Sequence, residues 1–273
     1  MNQQSARSQR QPSLTPARGT PIRRTASAGR DKMVATTSLP SGTPKQPAVT
    51  RLAVGVGASF AFALGEVLLL GAVLAPEFTR NGPTSFDAHV TRWFLDRRSD
   101  ALTAVMKAVT WLGSSALIVP IALVVVAVLL YRHAWYAAVF LAVCVAGASL
   151  LSVIAKHVID RDRPPEAIRL QHTTTSSFPS GHATQAAATY LALAFVMVAV
   201  SRSSRLHIIG WIATGVIVCA VGVSRIYLGV HWATDVIAGW LLGISWSTGV
   251  RLSFGNALTP DQLRKERVPG FGS

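Results

Sequence analysis

The chain has 273 residues, 50% of them hydrophobic and only 14% charged, with a formal net charge of +14. Apolar residues in that proportion, gathered into long blocks, exclude an ordinary soluble domain and point to an integral membrane protein. Two cysteines and the absence of any P-loop, dinucleotide or zinc spacing give no disulfide framework, and no metal or cofactor is implied.

In chain order, residues 1–50 are rich in Ser, Thr, Pro and Arg and hold eight basic residues against Asp31 alone. Such a segment buries too little apolar surface to offset the entropy of ordering it, so a disordered basic tail is expected. Its charge suits a cytoplasmic side, near anionic lipid headgroups, rather than a nucleic-acid partner. Six membrane helices are then predicted: Leu52 to Ala75, Leu112 to Leu130, Ala134 to Ile154, Ala183 to Val200, Leu206 to Val223, and Val236 to Phe254. They define one all-α membrane domain over residues 51–255, and residues 256–273 form a short cytoplasmic tail.

Glu66 lies inside the first span, where one carboxyl can stay protonated or bond a neighbouring helix. Residues 85–110 mix charge with Phe86, Trp93 and Phe94, as an amphipathic helix at the membrane surface would, and could form a lid. Cys144 and Cys219 fall inside spans as small apolar groups. Gly239 and Gly243 form a GxxxG spacing suited to a close helix contact within the bundle.

Between the third and sixth spans lie three polar stretches: KHVIDRDRP at 156–164, PSGH at 179–182, and SRIYLGVHWATD at 224–235. Lys156, Arg163 and Arg225 supply three cations, a set that suits a phosphate-sized anion. Lys156 and Arg163 are seven residues apart, about two helical turns, so a helix continuing from the third span would present both on one face until Pro164 breaks it. Ser180 and Gly181 stand where the fourth span begins. Helix-start amides make an anion site there, although Pro-Ser-Gly is also an ordinary cap. His182 and His231 can carry protons or act as nucleophiles near neutral pH, and Asp235, four residues after His231, would lie on the same helix face and orient its imidazole. The combined chemistry is phosphoryl transfer. Arg161 and Arg169 are read as cations snorkelling at the membrane edge, and the other five histidines as surface residues.

The spacing Lys-x6-Arg-Pro, Pro-Ser-Gly-His and Ser-Arg-x5-His-x3-Asp resembles the type 2 phosphatidic acid phosphatase (PAP2) family, which shares its site with vanadium haloperoxidases. All eleven specified positions are filled. The resemblance implies that Lys156, Arg163, Ser180, Gly181 and Arg225 hold phosphate, that His231 is the nucleophile forming a phosphohistidine, that His182 is the general acid, and that Asp235 supports His231. It further implies a metal-independent phosphatase of a lipid phosphate or diphosphate. Undecaprenyl diphosphate is the first expectation, with phosphatidylglycerophosphate and phosphatidate behind it. A vanadate-dependent haloperoxidase and a catalytically silent membrane scaffold are the alternatives. With the basic tail inside, an even number of spans puts both termini in the cytoplasm and all three motifs on the outer face of the plasma membrane.

Overall fold

The computed structural model describes residues 48–80 and 83–259. Residues 1–47 of the tail expected to be disordered over 1–50, and the end of the chain from 260 onward, lie outside them. Helix begins at Ala48, four residues before the expected first span, so Ala48–Thr50, expected in the tail, already belong to the first helix.

Eight α-helices are described: α1 (Ala48–Arg80), α2 (Ser85–Leu95), α3 (Asp100–Thr110), α4 (Ser115–Tyr131), α5 (Trp135–Val158), α6 (Gly181–Val200), α7 (Ser204–Tyr227) and α8 (Ala233–Phe254). No strand occurs among the described residues. Short polar side chains start several of the helices by accepting from free amides of the first turn. Thr84 accepts from Asp87 N–H at 3.0 Å for α2, Ser99 from Leu102 at 3.3 Å for α3, and Ser114 from Leu117 at 3.3 Å for α4.

Four of the six expected spans lie within α1, α6, α7 and α8; the other two, from Leu112 and from Ala134, begin ahead of α4 and α5 and only overlap them. Four helices, α1 (to Ala75), α5, α6 and α7, are long and apolar enough to cross a membrane, and a fifth candidate arises if the bent pair Asp100–Gly113 and Ser115–Tyr131 counts as one span. Their outward faces are apolar, with Val54, Phe62 and Leu69 on α1 and Ile208, Ile212 and Val216 on α7 exposed as lipid would require. Cys144 is buried as expected, whereas Cys219 lies on the exposed face of α7.

The bundle is organised around α6, whose Ala183, Ala186, Ala187, Ala188 and Ala192 are buried. These small side chains let α8 approach closely. A Cβ on Gly239 would stand 2.7 Å from the Ser180 carbonyl oxygen, and one on Gly243 would stand 2.6 Å from that of Thr184. The GxxxG spacing is thus a contact within the bundle. On its other side α8 meets α1 through a second small seam, where a Cβ on Gly55 would stand 2.8 Å from Ser253 Oγ. Glu66 bridges the same two helices by accepting from Ser245 Oγ at 2.6 Å. Trp246 fills the space under α5, donating to the Cys144 carbonyl at 2.9 Å.

The expected single amphipathic helix is two helices, because Asp96–Ser99 break it. Arg98 Nη2 donates to the Tyr227 carbonyl at 2.7 Å, and the Tyr227 hydroxyl lies 2.9 Å from Thr103 Oγ1, which ties α2 and α3 to the end of α7. The C-terminal ends of α5 and α7 and the N-terminal ends of α6 and α8 therefore share one end of the bundle with α2 and α3. All three sequence motifs lie at that end.

Candidate active site

The first motif leaves helix earlier than its spacing implied. α5 stops at Val158, so Lys156 and Arg163 do not share a helix face. Two causes are local. A residue before proline is disfavoured in helical conformation, which affects Arg163, and the free carbonyl of Ile159 is taken by Ser176 Oγ at 2.9 Å. Ser176 Oγ also accepts from Arg161 N–H at 3.1 Å, and Ser177 N–H donates to the Arg161 carbonyl at 2.9 Å. These bonds fold the loop 159–180 back across the end of the bundle.

The loop still delivers both cations to one place. Lys156 Nζ donates to the Ser176 carbonyl at 2.6 Å. Arg163 Nε donates to the Thr175 carbonyl at 2.7 Å and its Nη1 to the Val230 carbonyl at 2.6 Å. Arg225, on the last turn of α7, is 3% exposed. Its Nη1 donates to Thr110 Oγ1 at 2.9 Å and Gln171 Oε1 at 2.8 Å, while its buried Nε has no partner.

The second motif starts α6. Ser180 is the cap residue, and its N–H donates to the Asp235 main-chain carbonyl at 2.9 Å, tying the first turns of α6 and α8 together. Its hydroxyl is buried and unpartnered. A Cβ added to Gly181 would meet only Ser152 Oγ at 3.5 Å and Lys156 Cε at 3.9 Å, so the Lys156 stem runs beside the helix start. His182 follows in the first turn, half-buried.

Between α7 and α8 the chain turns at Gly229, whose φ of +69° and 2.5 Å approach of a would-be Cβ to the Ile168 carbonyl oxygen both demand glycine. The turn presents His231, 2% exposed. Nδ1 lies 3.4 Å from Asp235 Oδ2, and Nε2 lies 3.2 Å from Arg163 Nη1. A guanidinium can only donate, so Nε2 is the acceptor and the ring proton sits on Nδ1, facing the carboxylate. Burial holds the imidazole well below its ordinary pKa, and Arg163, Arg225, Lys156 and His182 act in the same direction. His231 is therefore neutral, with its Nε2 lone pair turned toward the cations. Burial also lowers Arg163, with Asp235 opposing it.

Asp235 is fully buried and accepts from four groups: Arg161 Nη1 at 2.5 Å, Ser177 Oγ at 2.5 Å, Trp232 N–H at 2.9 Å and His231. So many donors on one carboxyl group suit its ionised form. Arg161 is not the snorkelling cation that the sequence suggested. It is 5% exposed, because two buried carboxylates, Asp235 and Asp87, accept from its two terminal nitrogens. The motifs did not show the roles of Asp87, Ser177, Thr110 and Gln171. One signal existed for Arg161, a cation on the site side of the chain that membrane orientation left unexplained.

Fold and site together define a helical membrane protein whose helix ends enclose three cations, two histidines and a buried carboxylate. The family model of the PAP2 superfamily matches residues 137–258. Phosphatidylglycerophosphatase B of Bacillus subtilis is 34% identical over 184 residues, covering 66% of this chain and 88% of that protein. An undecaprenyl-diphosphatase of Sulfolobus acidocaldarius is 36% identical over 104 residues, covering 36% and 46%. The crystal structure of a transmembrane PAP2-type phosphatidylglycerolphosphate phosphatase from Bacillus subtilis superposes with a TM-score of 0.63 at 31% identity, covering 70% of this chain and 94% of that one. The chain belongs to the PAP2 superfamily of membrane lipid phosphatases.

Proposed function

We propose that the protein hydrolyses a phosphomonoester or diphosphate of a membrane lipid through a phosphohistidine on His231, without a divalent metal. One observation carries the reading. Two buried donors, Ser180 Oγ and Arg225 Nε, have no acceptor, in a site where Lys156, Arg163 and Arg225 act on the neutral His231. A buried donor without an acceptor is costly, and a phosphate oxygen supplies one.

In the first step the Nε2 lone pair attacks phosphorus, the bond to the leaving oxygen breaks, and His182, held protonated by the bound phosphate anion that offsets the cations, gives that oxygen its proton and becomes neutral. Arg163, which donates to Nε2 in the free site, transfers to a phosphate oxygen when substrate enters. Asp235 stabilises the ring as it becomes cationic. In the second step neutral His182 takes a proton from water, which attacks phosphorus and releases phosphate and neutral His231. The three cations and the start of α6 neutralise the charge that a magnesium ion would otherwise offset.

A cavity of about 350 Å³ opens beside Lys156, lined by Val153, His157, Asp160, Thr175 and Ser176. It leaves room at the membrane surface for a headgroup whose chains stay in lipid. The longer match to phosphatidylglycerophosphatase B brings phosphatidylglycerophosphate level with undecaprenyl diphosphate as a substrate, ahead of phosphatidate. Six spans, with both termini in the cytoplasm and the site on the outer face of the plasma membrane, complete the proposal.

The test is phosphate release from these lipids by the purified protein in detergent with EDTA present, followed by an alkaline detergent quench with labelled substrate, because the N–P bond of a phosphohistidine is stable in base and lost in acid. Turnover with label on His231, and none in His231→Ala, is expected. Restoration by magnesium after chelation, label on His182, or turnover by His231→Ala would each contradict the mechanism.

A further inference from the structure

We propose that Asp87 and Arg161 are positioning residues for phosphoryl transfer, holding Asp235 in place behind His231. The inference rests on the functional reading above. Asp87 comes from α2, far from the three motifs in sequence, yet its side chain is fully buried among them. It accepts from Arg161 Nη2 at 2.7 Å, from Thr234 N–H at 2.9 Å and from Thr234 Oγ1 at 2.8 Å. Arg161 donates through Nη1 to Asp235 Oδ1 at 2.5 Å and to Thr234 Oγ1 at 2.7 Å. One planar guanidinium thus bridges two carboxylates, and Thr234 fastens the second of them to the first turn of α8, one residue before Asp235.

Stability alone gives little reason for this arrangement. Three charges taken out of water are commonly matched or bettered by apolar packing. The charge count gives a reason. With Asp235 as its only partner, Arg161 would neutralise it and weaken its pull on the imidazole. Asp87 shares the guanidinium, so the triad carries one net negative charge, 3.4 Å from a ring that becomes cationic during reaction. The fork also fixes the direction of Asp235 Oδ1, as partners behind a reacting group do elsewhere.

Arg161 and Asp87 are enclosed, with side chains 3% and 0% exposed. Their loss should therefore act on the chemical step and leave binding alone.

The test uses the full chain in detergent and a lipid phosphate that the wild type hydrolyses. Asp87→Asn keeps the shape and an acceptor for Thr234 but removes the charge. We expect kcat to fall about 10- to 100-fold with KM unchanged, the scale seen for partners behind a reacting group. Inhibition by vanadate, which bonds His231 Nε2 in mimicking the transition state, should weaken by a similar factor, while inhibition by inorganic phosphate, held by the cations, should not change. Wild-type kcat in Asp87→Asn would overturn the inference. So would kcat, KM and phosphate inhibition failing together with a lowered melting temperature, since that pattern marks a structural role. If Asp87→Asn does not fold, Arg161→Lys, whose single ammonium cannot fork onto both Asp87 and Asp235, is read in the same way. Failure of the functional reading would look different: the wild type would release no phosphate, or His231→Ala would bind vanadate as tightly as the wild type.

Discussion

At the scale of single residues, the site balances cations that bind an anion against a nucleophile that must stay neutral. His231 resolves the conflict by burial and by facing the cations with its lone pair, and both keep its pKa well below the usual histidine value. Between its folded pKa and about 6.5 the unfolded chain binds the proton and the folded one does not. This contribution to stability is therefore complete above about pH 6.5 and is lost as pH falls below it, by about 1.4 kcal/mol per unit. An anion in the pocket cancels the cations and should raise the pKa of His231. NMR of labelled histidine, assigned with His231→Ala, should show the ring neutral at pH 6 in the free protein and titrating higher with inorganic phosphate bound; a free-protein midpoint at or above 6.5 would contradict this. The motif residues themselves were legible because their chemistry and spacing are both specified. Arg161 was not, since a cation at a membrane edge looks the same in sequence whether it reaches water or a buried carboxylate. Asp87 was hidden for a different reason: its partners are 74 and 147 residues away.

At the scale of elements, apolar blocks located every long helix, but two features depended on neighbours that a linear reading does not see. One is the end of α5, where helical spacing from Lys156 to Arg163 was overruled by Pro164 and by Ser176. The other is the number of spans. α4 has 17 residues because its first part is bent away by 44°, and α8 carries Thr234, Asp235, Ser245, Ser247 and Arg251. A helix packed between α1 and α6 has protein partners for such polarity, and by length and hydropathy the described residues hold four candidate spans, or five with the bent pair. Close approach of α6 to α8 is what holds Ser180 against Asp235. Gly243→Ala would place a Cβ 2.6 Å from the Thr184 carbonyl oxygen and 2.7 Å from Ala187 Cβ. Overpacking of this kind costs about 1–3 kcal/mol. Thermal unfolding in detergent should show a clear loss for Gly243→Ala and none for Gly215→Ala, where nothing lies within 4 Å of the added carbon. Equal midpoints for the two variants would mean that the seam is looser than the structure shows.

At the scale of the whole molecule, the two ends of the bundle differ in charge. Helix direction puts Arg51, Arg132, Arg202, Arg205 and Arg251 at the end away from the site, and no carboxylate among the described residues accompanies them. The site end carries both signs: Asp87, Asp160, Asp162, Glu166 and Asp235 stand among Lys156, Arg161, Arg163 and Arg225. The positive-inside bias would place this end, basic among the described residues, in the cytoplasm, whereas the cations at the other end are held by carboxylates, carbonyls and the proposed anion. The two ends can be addressed separately with single cysteines in a background where Cys144 and Cys219 are serine. Thr174 and Arg202 are exposed at opposite ends, in the 159–180 loop and in the turn between α6 and α7. An impermeant maleimide on intact cells should label Thr174→Cys and should reach Arg202→Cys only after permeabilisation. The opposite pattern would turn the site toward the cytoplasm, and the headgroup would then have to be presented from the inner leaflet.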